Sequence, residues 1–334
     1  MVRLGKLYLQ LVLNWIRQWP GARLAPLALL LPVLLATTGC LSHTRAVEKH
    51  RRADVVLSAS LDQLLKQVDN QYNAIQSMTA FVEVSTSTGG SLQGEVKESI
   101  NFGGYIIIGK PEQIRVILKL PLLGSQALDM VSDGKNFKML IPPKSCAIVG
   151  SDTVTNSTQK GLYSLRPAVI LDSMLMHGLE PDQIVSRTQD IRVIENPRKK
   201  KDLIEEPDYD LQFLSQPKGQ VARALHVIHI SRANLLPYRQ DIYDADGQIV
   251  TQAFYSDYQK FGDITFPTKI VIQRPLDELG LTISVTKGTN FNQKLDDDAF
   301  DLGPIPEGYA VQNMDDPASA TTNPCAGHAT QSPH

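Results

Sequence analysis

Residues Ile114–Ser132 read IRVILKLPLLGSQALDMVS, and their pattern decides the fold. Ile114, Val116, Leu118 and Leu120 alternate with Arg115 and Lys119. A period of two places successive side chains on opposite faces of a strand. QALDMVS, at 126–132, alternates as well, and Pro121 and Gly124 suit the turn between. The stretch is therefore an antiparallel hairpin with one apolar and one wet face. Leu122 and Leu123 stand at its tip, where a turn facing water gains nothing from leucine.

Alternation continues on both sides. MTAFVEVSTS, from Met78, is a strand, and SLQGEVKESINFGGYIIIG holds one long or two broken strands. Asp133-Gly134 marks the next hairpin and leads into NFKMLIP. A second meander follows a charged loop at 195–207. DYDLQFLS pairs with ARALHVIHISRA across Lys218-Gly219, a hairpin turns at Asp246-Gly247, and two more strands follow. Two segments break the pattern. Ser60 is an N-cap with Gln63 at the capping-box position, and Leu61, Leu64, Leu65, Val68, Tyr72 and Ile75 follow at helical spacing. Pro167 opens a second helix that stops by Gly178. Ala168, Val169, Ile170, Leu171, Met174, Leu175 and Met176 cover nearly every side of it, as in a core helix or a lid over something apolar. Residues 151–160 are a polar loop.

The expected fold is mainly β (α+β): a long antiparallel sheet whose apolar face is hidden by a second sheet, by closure into a barrel or by a helix cover, and which, if strongly curved, leaves a lined cavity under its helices. An N-terminal helix and an inserted apolar helix cover it. Two helices are too few to bury so long an apolar face tightly. The space left beneath them suits an acyl chain, each buried methylene contributing about 0.8 kcal/mol. Val169, Ile170, Leu171, Met174 and Leu175 are the candidate lid, and Ile114, Val116 and Leu118 the candidate wall.

The N-terminus is a targeting segment. Arg3, Lys6, Arg17 and Arg23 precede a 13-residue apolar run, Leu24–Ala36, short for a membrane span and right for a signal-peptide core. Ala36-Thr37-Thr38-Gly39-Cys40 resembles a bacterial lipobox, in which the cysteine is acylated and becomes the new N-terminus. Gly39 and Cys40 match; Thr37 departs from the usual leucine. An uncleaved membrane anchor is the other reading, and export follows from both. The expected organisation is a signal peptide at 1–39, a stalk at 40–55, one lipid-binding domain at 56–312 and a disordered tail at 313–334.

Charge and motifs exclude several function classes. The 334 residues carry a net charge of −2. Residues 1–39 hold four basic residues and no acid, so the remainder carries −6, unsuited to nucleic acid. The one dense basic run, Arg198–Lys201, is followed at once by acids. No HExxH, GxSxG, glycine-rich phosphate loop or CxxC occurs, so no enzyme, metal or cofactor is expected. His226 and His229 are three apart within a strand, on opposite faces, and cannot share a metal. Asp296–Asp298 lack a calcium-loop pattern around them. Cys146 and Cys325 are the cysteines left for a bridge in an oxidising compartment, although Cys325 sits in the polar tail.

The order of lipobox, stalk, helix, meander, inserted apolar helix and second meander resembles the LolA/LolB group of lipoprotein-sorting proteins. The most specific piece is LPLLGSQALDM, at 120–130, against the receptor hairpin NPLGSTELEL. IGKPEQIRVIL and DGKNFKMLIPP also resemble the strands flanking that hairpin. The resemblance is clearest over residues 60–150. It implies an open half-barrel holding acyl chains under helices, and an apolar hairpin tip, here Leu122 and Leu123, that enters the membrane. Of the two, Leu123 is the better match. It implies acyl chains of lipoproteins or other envelope lipids as ligands, and a periplasmic carrier or envelope complex as partner. Leu41 follows Cys40 in place of the aspartate of inner-membrane retention, which places the chain at the outer membrane facing the periplasm. The other reading is an adaptor lipoprotein whose core is filled.

Overall fold

The computed structural model describes residues 45–90, 94–152, 165–196, 199–286, 288–316 and 325. The chain divides into two units, residues 1–49 and residues 50–334, and all the secondary structure described lies in the second. The elements of the first half are β1 (His50–Arg52), α1 (Leu61–Ala74), β2 (Ser77–Gly90), β3 (Glu95–Glu98), β4 (Phe102–Gly109), β5 (Gln113–Lys119), β6 (Gln126–Ser132), β7 (Asn136–Ile141) and β8 (Cys146–Ser151). Then come α2 (Pro167–Met174), β9 (Gln183–Asn196), β10 (Lys199–Ser215), β11 (Ala224–Ser231), β12 (Pro237–Tyr243), β13 (Ile249–Phe261), β14 (Ile264–Arg274), β15 (Leu279–Val285), β16 (Asn290–Phe291) and β17 (Ala310–Asn313).

All 17 strands among the described residues join one sheet. Its spine runs β9–β10–β11–β12–β13–β14–β15–β2–β4–β5–β6–β7–β8–β17. The short strands β1, β3 and β16 fill out the sides of β10 and β2. The sheet is not closed: among the described residues β9 pairs only with β10, and β17 only with β8. It is mixed rather than purely antiparallel, because β1 on β10 and β17 on β8 run parallel.

Three parts of the sequence reading change. The described residues of the charged loop expected at 195–207 belong to the turn end of the β9–β10 ribbon, where Leu203, Ile204, Glu205 and Glu206 pair with Glu195, Ile194, Val193 and Arg192. A charged strand is stable here because opposite charges meet across it, as in Arg192–Glu206 at 2.7 Å. The end of the expected stalk, His50–Arg52, is strand β1, registered on Leu203–Glu205. The tail expected to be disordered from 313 begins inside the fold. Asn313 ends β17, Met314 is buried, and Cys325 is buried and bonded to Cys146. Of the polar loop expected at 151–160, residues 153–160 lie outside the described residues, as do 161–164, 317–324 and 326–334.

The helices form as their sequences require. Ser60 Oγ accepts from the Gln63 backbone N–H at 3.2 Å, and Gln63 Oε1 accepts from the Ser60 N–H at 2.8 Å, closing the capping box of α1. Pro167 occupies the first turn of α2, and the helix ends at Leu175, three residues short of Gly178. The apolar interior falls into two clusters. In one, Leu64 and Val68 of α1 pack on Tyr209, Leu211 and Phe213 of β10 and Ile228 and Ile230 of β11. The other joins the inner faces of β2, β4–β8 and β13–β15 to Ile170, Leu171, Met174 and Leu175. Gly104 is required where β4 meets β5, because a Cβ there would collide with the Ile117 backbone carbonyl. On the other face Arg115 Nε and Nη2 donate to Asp129 at 3.0 and 2.9 Å, and its Nη1 donates to the carbonyls of Ala299 and Asp301. That fork ties the 299–301 turn to the sheet.

Candidate functional site

Alternation along six strands aims a set of apolar side chains into one cavity of about 260 Å3. β5 supplies Val116 and Leu118, β6 Leu128 and Met130, β7 Met139 and Ile141, and β4 Phe102 and Ile106. Val84 and Thr86 of β2 and Leu281 and Ile283 of β15 complete the wall. Leu165 and Ile170 cover it, and Leu120 and Ala127 line it beside the hairpin turn. Lys144 is the sole charged residue of the lining among the described residues; with Pro143 it lies exposed in the 3-10 turn Pro142–Lys144.

Of the eight residues expected at this site, Ile170, Val116 and Leu118 line the cavity. Ile114 is fully buried in the core beside it, Leu171 is buried, and Val169 packs on the same cluster half-buried. Met174 and Leu175 line a separate cavity of about 20 Å3 with Tyr72, Ile75, Tyr258 and Phe266. A helix of eight residues turns about 100° per residue, so a single cavity below it meets few of its side chains. Leu128, Met130, Met139 and Ile141 were not singled out as wall residues, although the alternation of QALDMVS and NFKMLI carries them. No signal singles out Lys144.

α2 is fixed at its start. Buried Arg166 precedes it, and its guanidinium donates to the Ser151 carbonyl and to Asp315, the latter at 3.1 Å. Asp152 accepts from the Ser132 hydroxyl and, at 3.5 Å, from the Ala168 N–H. Burial raises the Asp152 carboxyl above its ordinary range, with the Ser132 hydrogen bond opposing.

The hairpin tip projects. Leu122 is fully exposed, Leu123 is 78% exposed, and Gly124 and Ser125 are exposed beside them. The tip has its own frame: the Gly124 N–H donates to the Leu120 carbonyl at 3.0 Å, the Leu123 N–H to Pro121 at 2.8 Å, and the Leu120 N–H to Ser125 at 2.8 Å. That frame holds Leu122 at φ 68°, a left-handed conformation uncommon for any residue with a branched apolar side chain. Gly124, at φ 65°, adopts the same region without cost.

The polar face of β10–β12 carries a charge network. His229 Nδ1 lies 2.7 Å from Asp210, and its Nε2 lies 3.2 Å from Asp241, which Arg239 also pairs at 2.6 Å. Burial lowers the His229 pKa, but hydrogen bonds to both aspartates and their charges outweigh it and raise the value to about 9. His226, on the opposite face, stacks on Phe213 at 4.2 Å between centroids. Burial, aided by the field of His177, pushes its pKa down to about 4. The two histidines thus have different partners, and no group of three or more His, Cys, Asp or Glu among the described residues is placed to hold a metal. Nor is any described helix long and apolar enough to cross a membrane. Cys40 lies outside the described residues.

The chain has matches of low identity among solved structures. Its structural neighbours are LolA-superfamily, DUF1329-family and lipoprotein-sorting proteins. A LolA-superfamily protein from Nitrosomonas europaea is 14% identical, over 73% of this chain and 98% of its own, with a TM-score of 0.44. A DUF1329-family protein from Desulfovibrio piger is 15% identical, over 72% and 95%, with a TM-score of 0.46. A domain described as outer-membrane lipoprotein-sorting, from Vibrio parahaemolyticus, is 10% identical, over 72% and 94%, with a TM-score of 0.43. A family model described only as an uncharacterized protein matches residues 198–304. No curated protein matches.

Proposed function

We propose that the chain is a lipid-anchored envelope protein that holds acyl chains in the cavity beneath α2 and exchanges them with a membrane through the Leu122–Leu123 tip. One observation carries this reading: the strands that wall the cavity are those that present the tip. Leu118, Leu120, Ala127 and Leu128 line the cavity, and the turn between them exposes two leucines on a strained backbone. Burying both in hydrocarbon would contribute about 3–6 kcal/mol. Exposed apolar side chains held in a costly conformation point to a function outside the domain.

In this reading the sheet is a curved half-barrel, with α1 and α2 as its covers and residues 56–312 as the lipid-binding domain. Acylation at Cys40 holds it to the membrane, and two or more chains are needed for stable anchoring. The outer membrane, facing the periplasm, is the location that Leu41 after Cys40 favours. The cargo is the acyl chains of lipoproteins or another envelope lipid, delivered by a periplasmic carrier or passed to an envelope complex. The protein acts by binding and transfer, without catalysis. The adaptor alternative requires a filled core beneath α2, and a cavity of about 260 Å3 there weighs against it.

Transfer of a fluorescent acyl lipid between vesicles tests the tip. Leu122→Glu combined with Leu123→Glu should leave thermal stability unchanged, because both side chains are exposed, and should slow transfer at least tenfold. Unaltered transfer by a folded double variant would refute the role of the tip.

A further inference from the structure

We propose that the cavity takes one acyl chain carrying an anionic head, with the Lys144 ammonium as the head-group partner. The proposal rests on the acyl-binding reading above and narrows its ligand class.

Volume limits the number of chains. Small-molecule pockets span about 300–1,000 Å3. An apolar cavity of about 150 Å3 accommodates a benzene, six carbons. A space of about 260 Å3 therefore holds on the order of ten carbons, which is one chain and not two or three side by side.

Chemistry places the head at the rim. Among the described residues the lining is apolar apart from Thr86 and Lys144, and it contains no acid. An ion carried among Met130, Met139 and Ile170 would lose its hydration with nothing to replace it. Among the described lining residues the one charge is that of Lys144. The rim is also rigid. Ser145 takes a left-handed conformation, its N–H bonds the Pro142 carbonyl, and the next residue, Cys146, is disulfide-bonded to Cys325. Lys144 has an interaction within the protein, and an ammonium's three donors let it take a second partner. A compact ammonium pairs with a carboxylate or with a phosphate, so a fatty acid and a lysophospholipid acid share the required chemistry.

Equilibrium dialysis of the full chain held in amphipol, with amphipol alone as blank, tests this. The probes are dodecanoate, lysophosphatidic acid of equal chain length, dodecanol and two-chain phosphatidic acid. At least one single-chain anion should bind once per chain, at least tenfold more tightly than dodecanol and than phosphatidic acid. Preference for dodecanoate identifies a free fatty acid as the source, and preference for lysophosphatidic acid identifies a lysolipid; either supports the proposal. Lys144→Glu should weaken the anion at least tenfold and leave dodecanol unchanged, whereas Lys144→Arg should retain the anion. Equal binding of dodecanol and both anions, or anion binding indifferent to Lys144→Glu, overturns the head-group assignment but leaves the acyl site standing. Phosphatidic acid bound as tightly as the single-chain anions overturns the single chain. Failure of all four probes, dodecanol included, overturns the acyl-binding reading itself.

Discussion

Over β10 and β11 the inner face of the sheet is filled, whereas over β4–β7 it is left with a cavity. On the filled side the 14-residue α1 presses Leu64 and Val68 onto the large rings of Tyr209 and Phe213, with Leu211, Ile228 and Ile230 between them. On the other side the eight-residue α2 places only Ile170 over a wall of Val, Leu, Ile and Met. The amphipathic stripe of a long helix matches the width of two strands, and a short helix cannot cover four. One sheet thus combines a part whose inner face is filled with a part that leaves a cavity of about 260 Å3.

The largest expected effect strikes the filled side. Phe213→Ala should cost about 3–5 kcal/mol in urea melts, because a fully buried ring leaves a void that its neighbours cannot fill. Leu118→Ala, in the cavity wall, should cost about 2 kcal/mol, the low end for such truncations, because its side chain already borders empty space. Equal costs would erase the distinction between the two sides.

The disulfide sharpens it. Cys146–Cys325 closes a sequence separation of 179 and ties the tail to β8, next to the cavity rim. Cys325→Ser should lower global stability by about 2–4 kcal/mol. Hydrogen exchange should rise in β8 and β17 before it rises in β10 and β11. A uniform rise would place the bridge in the common core of both sides.

The smallest effect is in pH. The His226 pKa is lowered in the folded state to about 4, so its contribution is present above the unfolded value of about 6.5 and is lost as pH falls toward 4. His229 has the opposite sign, its contribution present below about 6.5 and lost as pH rises through about 9. Melting temperature should therefore peak near neutrality and fall by several degrees on the acid side. His226→Phe should flatten that acid limb; an unchanged limb would assign acid sensitivity to other groups.

Much of this fold was legible because period-two alternation is local. Ile114–Ser132 reads directly as β5, turn and β6, and Ser60 with Gln63 reads as a capping box. The exposed leucine tip was legible as well, since Pro121 and Gly124 mark the turn that carries it. The β9–β10 ribbon was hidden by its charges, which satisfy one another only across the strand pair, as Arg192 and Glu206 do. β1 was hidden because His50–Arg52 forms a strand only on the edge of Leu203–Glu205. Which apolar residues border the cavity depends on how α2 sits, and that is settled by Arg166, Asp152 and Asp315, remote from one another in sequence. The Cys146–Cys325 pair was legible from the cysteine count, while the polar sequence around Cys325 spoke against it.

The central claim is that an acyl chain occupies the space beneath α2. Photo-crosslinking of the full chain with dodecanoate bearing a terminal diazirine, mapped by mass spectrometry, tests it most directly. The account predicts adducts on Met130, Met139 and Ile170, lost in Met139→Trp, with none on Leu64 or Phe213. Adducts confined to α1 and β10, or labelling indifferent to Met139→Trp, would contradict it.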